Sequence, residues 1–142
     1  MSAEELNELA EASEAAREAI KRHGAAKEAC REEVRRGWVQ GAKKRELQEA
    51  GQVSYRTVGN MVQGVKRSPA KGVTIDLSAV EGAARAVDQA ESEKQKELSR
   101  RDRMIGSLLN SKRYSVAELM EAAKVSRATL YKAKAEAEGE RQ

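Results

Sequence analysis

The side chains here that could do chemistry are hydroxyls, guanidiniums and ammoniums rather than nucleophiles. One His (His23) and one Cys (Cys30) in 142 residues give no nucleophile–base pair at readable spacing and no metal-ligand cluster. No glycine-rich phosphate loop is present. The sequence therefore argues against an enzyme, offers no catalytic residue, and calls for no metal or other cofactor. What recurs is a pattern suited to hydrogen bonding: Val53-Ser54-x-x-Thr57 and, 72 residues on, Val125-Ser126-x-x-Thr129. Arg45–Val58 laid over Ala117–Leu130 gives seven identities in 14 positions. They include a helix-core Leu (Leu47, Leu119), the Val that plugs a turn, the Ser that caps the next helix and the Thr one turn later. A repeat of this kind constrains architecture before anything else does.

The stretch SVAELMEAAKVSRATLYKAK (115–134) resembles the helix-turn-helix of resolvase/invertase-type recombinases and of TetR-like repressors, in which a V-S-x-x-T-[VL]-Y run opens the recognition helix. Residues 45–62 resemble a looser version. The likeness covers about 20 residues at each place. There is no room for a recombinase catalytic domain, and a TetR-like ligand-binding domain is missing. The resemblance implies a DNA-binding module alone.

A recognition helix presents its N-terminal residues to base edges in the major groove. In the second repeat these are Arg127, Ala128, Tyr131 and Lys132; in the first, Tyr55, Arg56 and Asn60. Arg127 and Arg56 suit guanine, and Asn60 suits adenine. The readers differ, so two unlike half-sites are expected, or one reader and one non-specific clamp. Ser54, Thr57, Ser126 and Thr129 offer hydroxyls to phosphates. Lys43, Lys44, Arg45, Lys112, Arg113 and Lys124 add cations near helix ends, where phosphate is already favoured. Lys66, Arg67 and Lys71 flank Pro69 and could follow a DNA backbone as a basic arm. Against this stands a plainer reading: αα-hairpins with Ser caps, tyrosines packing across them, a solvated linker, Trp38 in a core, Cys30 inert and His23 at a helix end.

The elements that must carry these residues are helical. With four aromatics, no Phe and one Pro, the chain suits helix crossings better than packed sheets. The expected fold is all-α. An acidic amphipathic helix occupies 1–24, with a stripe of Leu6, Leu9 or Ala10, Ser13, Ala16 and Ile20, ending or kinking at Gly24. A first helix-turn-helix unit spans 25–64, led by a helix from Ala26 to Trp38 with Cys30, Val34 and Trp38 on one face. In it Gly51 stops a helix and Ser54 caps the next. A basic linker spans 65–77. A connecting helix at 78–99, opened by a Ser78–Glu81 capping box, could continue towards Leu109 with a break near Ser92. The second unit covers 100–142, with Ser115 and Glu118 as a capping box.

Charge alternates along the chain: −5 over residues 1–20, +8 over 21–72, −3 over 73–99 and +4 over 100–142. Basic blocks favour polyanions through counterion release. No apolar run is long enough to span a membrane and no secretory leader is read at the acidic N-terminus. With a lone Cys, these features give the expectation of a cytoplasmic protein, at the nucleoid or in a host cell if phage-encoded.

The expected function is sequence-specific double-stranded DNA binding by a bacterial, phage or plasmid repressor or regulator. A homodimer or higher oligomer could form through the acidic helix or the long helix, and no small-molecule effector is evident. A second reading is an architectural or assembly protein that oligomerises on repeated sites: a plasmid centromere binder, a small terminase-like protein or a recombination accessory factor. A third is a helical protein-interaction module without a DNA role.

Overall fold

The computed structural model describes residues 3–72 and 74–140, and it is all-helical. Among the described residues six helices follow one another: α1 (Ala3–Val39), α2 (Lys44–Gly51), α3 (Tyr55–Val62), α4 (Ser78–Ser111), α5 (Val116–Ala123) and α6 (Arg127–Glu140). No strand occurs among the described residues. No helix among them is long and apolar enough to cross a membrane.

The chain divides into two compact units. One is the continuous stretch Arg22–Glu91, which holds α2 and α3. The other combines Met1–Lys21 with Ser92–Gln142 and holds α5 and α6. Each long helix gives one stretch to each unit. In the α2–α3 unit, fully buried Leu47 and Val58 meet Val34 of α1 and Val80 of α4, with Cys30, Ala42, Ala50 and Val62 around them. In the α5–α6 unit, Leu119 and Leu130 meet Ile105 of α4 and Leu9 of α1, with Tyr114, Leu108, Ala123 and Ala133 around them. Short helices of eight residues are marginal alone, so these apolar contacts hold them.

The sequence repeat is also a structural one. α2 and α5 coincide at the offset of 72 residues, and α3 and α6 start at that same offset. The turns match as well: Gln52 and Lys124 follow α2 and α5 with φ of 53° each. The leading helices correspond at an offset of 71 instead, which pairs Val34 with Ile105, both completely buried. One extra residue between Ile105 and the start of α5 restores the offset of 72, so Tyr114 stands where the first repeat has Ala42, both buried. Gly41 (φ 104°) and Lys112 (φ 58°) take matching left-handed positions at the ends of the leading helices.

Several expectations need correction. Gly24 neither ends nor kinks a helix, because α1 runs unbroken through it. A mid-helix Gly costs about 1 kcal/mol relative to Ala, and good helix formers on both sides absorb that. The α1 stripe is Leu9, Ala12, Ser13, Ala16 and Ala19, whereas Ile20 is 45% exposed. α4 is likewise continuous past residues 92 and 99. Its first amide is held by Asp76, whose carboxylate accepts from the Ser78 N–H at 2.9 Å. Gly51 is not the left-handed stop. It is the last, buried residue of α2, with Val34, Val53 and Val80 within 3.7 Å of where a Cβ would stand. Gln52 makes the turn in its place.

Candidate functional site

α3 and α6 open alike. Ser54 Oγ accepts from the Thr57 N–H at 3.1 Å, and Ser126 Oγ accepts from the Thr129 N–H at 3.2 Å. Each serine hydroxyl also pairs with its threonine hydroxyl, at 2.8 Å and 3.0 Å. These bonds satisfy orphan amides at the helix start and fix the first-turn side chains. Val53 and Val125 pack inward and aim the turn at the core.

The side chains around each start face outward. Tyr55 is 55% exposed and Tyr131 47%. Arg56, Asn60, Arg127, Ala128 and Lys132 are exposed, and Thr57 and Thr129 are half-buried. Among the described residues, no ion pair or hydrogen bond engages the side chain of Arg56, Asn60, Arg127 or Lys132. Tyr55, Arg56 and Asn60 share one short helix, as do Arg127, Ala128, Tyr131 and Lys132.

The surrounding cations differ between units. Lys43, Lys44 and Arg45 lie at the N-terminus of α2, where Glu46 accepts from the Lys43 N–H at 2.9 Å. Lys44 Nζ lies 5.9 Å from the Trp38 ring and 5.7 Å from the Tyr55 ring. It therefore links the start of α2 to the start of α3. Arg67 is committed to the fold. Its guanidinium lies 4.0 Å from the Trp38 ring centre, and it donates to the carbonyls of Gly41 and Ala42. Trp38 Nε1 donates to the Val65 carbonyl at 2.9 Å, and the Ser68 N–H to the Val39 carbonyl at 2.8 Å. So this part of the linker is pinned across the end of α1, while Lys66 and Lys71 stay exposed.

In the second repeat the leading Lys43-Lys44-Arg45 becomes Ser115-Val116-Ala117. Lys112 and Lys124 are exposed and both take left-handed turn positions. Arg113 is paired with Glu5 of α1 at 2.8 Å. Beside it Tyr114 is pushed to a higher pKa, first by burial and then by Glu5. The units also differ in charge: Arg22–Glu91 carries 13 basic and nine acidic residues, and the remainder 14 of each. The net +4 therefore sits entirely in the α2–α3 unit.

Two features were not readable from sequence. The hydroxyl of Ser13, fully buried in α1, donates to the carbonyl of Ala123, the last residue of α5. Arg17 Nη1 lies 3.4 Å from the same carbonyl. Cation and hydroxyl thus meet the negative end of the α5 dipole. The second feature is a cleft of about 590 Å³ in the α2–α3 unit, for which no residue pattern offered a sign. It opens beside Thr57 and Asn60 and has Cys30 in its wall. Burial raises the Cys30 thiol pKa, with Glu33 adding to the effect, so the thiol is a weak nucleophile.

Compared with known proteins, the chain matches no family model, no curated protein and no solved structure.

Proposed function

We propose that the chain is a sequence-specific double-stranded DNA-binding protein with two helix-turn-helix units, α2–α3 and α5–α6, and that it serves as a repressor or regulator. α3 and α6 are the recognition helices. The observation that carries this reading is the repeated helix start: a Ser cap, a paired Thr and a left-handed turn two residues before the cap, ringed by outward and unpaired polar side chains. A bare αα-hairpin needs the cap, but it has no need of an unpaired Arg with an unpaired Asn or Lys over the first two turns of each second helix.

The two units then divide the work. Lys43, Lys44 and Arg45 hold phosphates for α3, whereas α6 has none of these at its leading helix. The α2–α3 unit supplies most of the electrostatic affinity, and the α5–α6 unit reads through Arg127 and Lys132 with less help.

Selection of bound fragments from random duplex DNA at roughly 150 mM salt tests this, where phosphate contacts alone bind weakly. Arg56→Ala and Arg127→Ala should each cost about 1–3 kcal/mol on the selected site and relax one position of it. Lys44→Ala should weaken all sequences alike and reduce the salt slope by about one. No enriched motif, with all three variants equivalent, overturns sequence-specific reading. Enrichment of tandem repeats bound by a discrete oligomer would favour an assembly role over a repressor.

A further inference from the structure

We propose that the cleft of the α2–α3 unit is a binding site for a small apolar molecule carrying one anionic group, a carboxylate or sulfonate on an aromatic or aliphatic body. The cleft holds about 590 Å³, within the usual range for small-molecule sites. Cys30, Val53, Met61, Ala84 and Val87 give it an apolar wall, and Lys27 and Arg31 line it too. The Nε of Arg31 is buried and has no hydrogen-bond partner among the described residues. A guanidinium stays protonated, so that N–H must find an acceptor or lose the energy of burial. The acidic lining residues Glu28 and Asp88 leave this N–H unsatisfied. Arg31 lines the cleft, and a small rotation of its side chain would bring this N–H to an acceptor oxygen on a bound molecule.

The other repeat supplies an internal comparison. The equivalent place in the α5–α6 unit holds only about 350 Å³, beside Thr129 and Lys132. There Gln95 stands for Gly24, Arg101 for Cys30 and Asp102 for Arg31. Arg101 and Asp102 satisfy each other, with Nε and Nη2 at 3.1 Å and 3.0 Å from the carboxylate. Ala123 also stands for Gly51. One copy is therefore narrowed and lined by a satisfied pair, whereas the other has lost side-chain bulk at three positions and keeps an unpaired donor. Helix stability alone does not ask for Gly24, because nothing lies within 4 Å of its Cβ position.

Thr57 and Asn60 form part of the wall and belong to the surface proposed to meet DNA. An occupied cleft should therefore change the affinity of the α2–α3 unit for DNA. This coupling rests on the function proposed above; the binding site itself does not.

The test titrates the full chain, without DNA, with 1-anilinonaphthalene-8-sulfonate and with neutral N-phenyl-1-naphthylamine, which shares its aromatic body. The sulfonate should bind one per chain and at least tenfold more tightly than the neutral probe. Arg31→Gln should abolish that preference and leave the neutral probe unchanged. Gly24→Phe, placed in open space at the rim, should weaken both probes at least tenfold, with folding checked by circular dichroism. Absence of saturable binding, equal affinity for the two probes, or sulfonate binding unchanged in Arg31→Gln overturns the site. A DNA titration with and without saturating probe then reads the coupling: a change of threefold or more supports it, and no change removes it. If the chain binds no DNA at all, the DNA reading falls while the probe titration still decides the site.

Discussion

Replacing Ser13 by Ala sets two opposed effects against each other in one buried position. Ser13 sits in the interior of α1, and Ala is the better helix former by roughly 0.5 kcal/mol. On helix propensity alone the variant would gain stability. However, the hydroxyl is completely buried and donates to the carbonyl that ends α5. Its loss leaves that acceptor with Arg17 Nη1 at 3.4 Å, too long to replace it fully. An unsatisfied buried partner costs about 1–3 kcal/mol. The second effect should win, giving a net loss of about 1–2 kcal/mol. Urea denaturation followed by circular dichroism measures this, with an unchanged m-value as the sign that the native and unfolded ensembles are otherwise the same. Combining Ser13→Ala with Arg17→Met should show a coupling of at least about 0.5 kcal/mol, because both groups address one carbonyl. A neutral or stabilising Ser13→Ala, or strict additivity with Arg17→Met, would refute the view that these residues jointly cap α5.

Two glycines should respond with opposite signs. At Gly51 a Cβ meets Val34, Val53 and Val80 at 3.5–3.7 Å, ordinary contact, so Gly51→Ala should raise stability by about 0.5–1 kcal/mol. At Gly37 a Cβ would stand 2.8 Å from Leu47 Cδ2 and 3.3 Å from Leu77 Cδ2. Leu47 is fully buried and cannot move cheaply, so Gly37→Ala should lower stability by about 1–3 kcal/mol; equal signs in thermal melts of the two variants would contradict this packing. The backbone and side chain of Ser78 hold the Asp76 carboxyl below its ordinary pKa. A lowered folded-state pKa means that the contribution is complete above the usual carboxylate range and is lost as pH falls through the lowered value. Melting temperatures across the acid range should therefore fall less steeply for Asp76→Asn than for the parent chain.

Much of this fold was legible because α2–α3 and α5–α6 use local signals. Ser54, Ser115 and Ser126 cap the helices that follow them, and the apolar spacing around Leu47 and Leu119 needs a helix. Gly24 and Gly51 misled because glycine punctuates sequences more strongly than it breaks helices. At Gly24 the flanking propensities prevail, and at Gly51 the packing of Val34 and Val80 takes the place of a turn. The α1 stripe was hard to assign because Ala12, Ala16 and Ala19 carry little apolar signal. Their value lies in letting another helix come close, which only the fold reveals. The leading helices hid their kinship because a one-residue difference before α5 moves the offset from 72 to 71. Of the proposed site, the exposed readers were visible as residue types. The commitment of Arg67 to Trp38, the pairing of Arg113 with Glu5 and the cleft beneath α3 all depend on contacts distant in sequence.

The discontinuous make-up of the α5–α6 unit also sets an order of events during synthesis. The α2–α3 unit is one continuous stretch, Arg22–Glu91, so its core can close while the rest of the chain is still being translated. The Leu9 stripe of α1 emerges before the α2–α3 unit but must wait for Leu119 and Leu130. At elongation rates of ~5–20 residues per second, that wait lasts roughly 6–24 seconds. During it an alanine-rich surface stays uncovered, and the six glutamates among residues 1–20 give that stretch a net negative charge, which favours solubility. The acidity of the first helix then serves the interval before folding as much as the folded state.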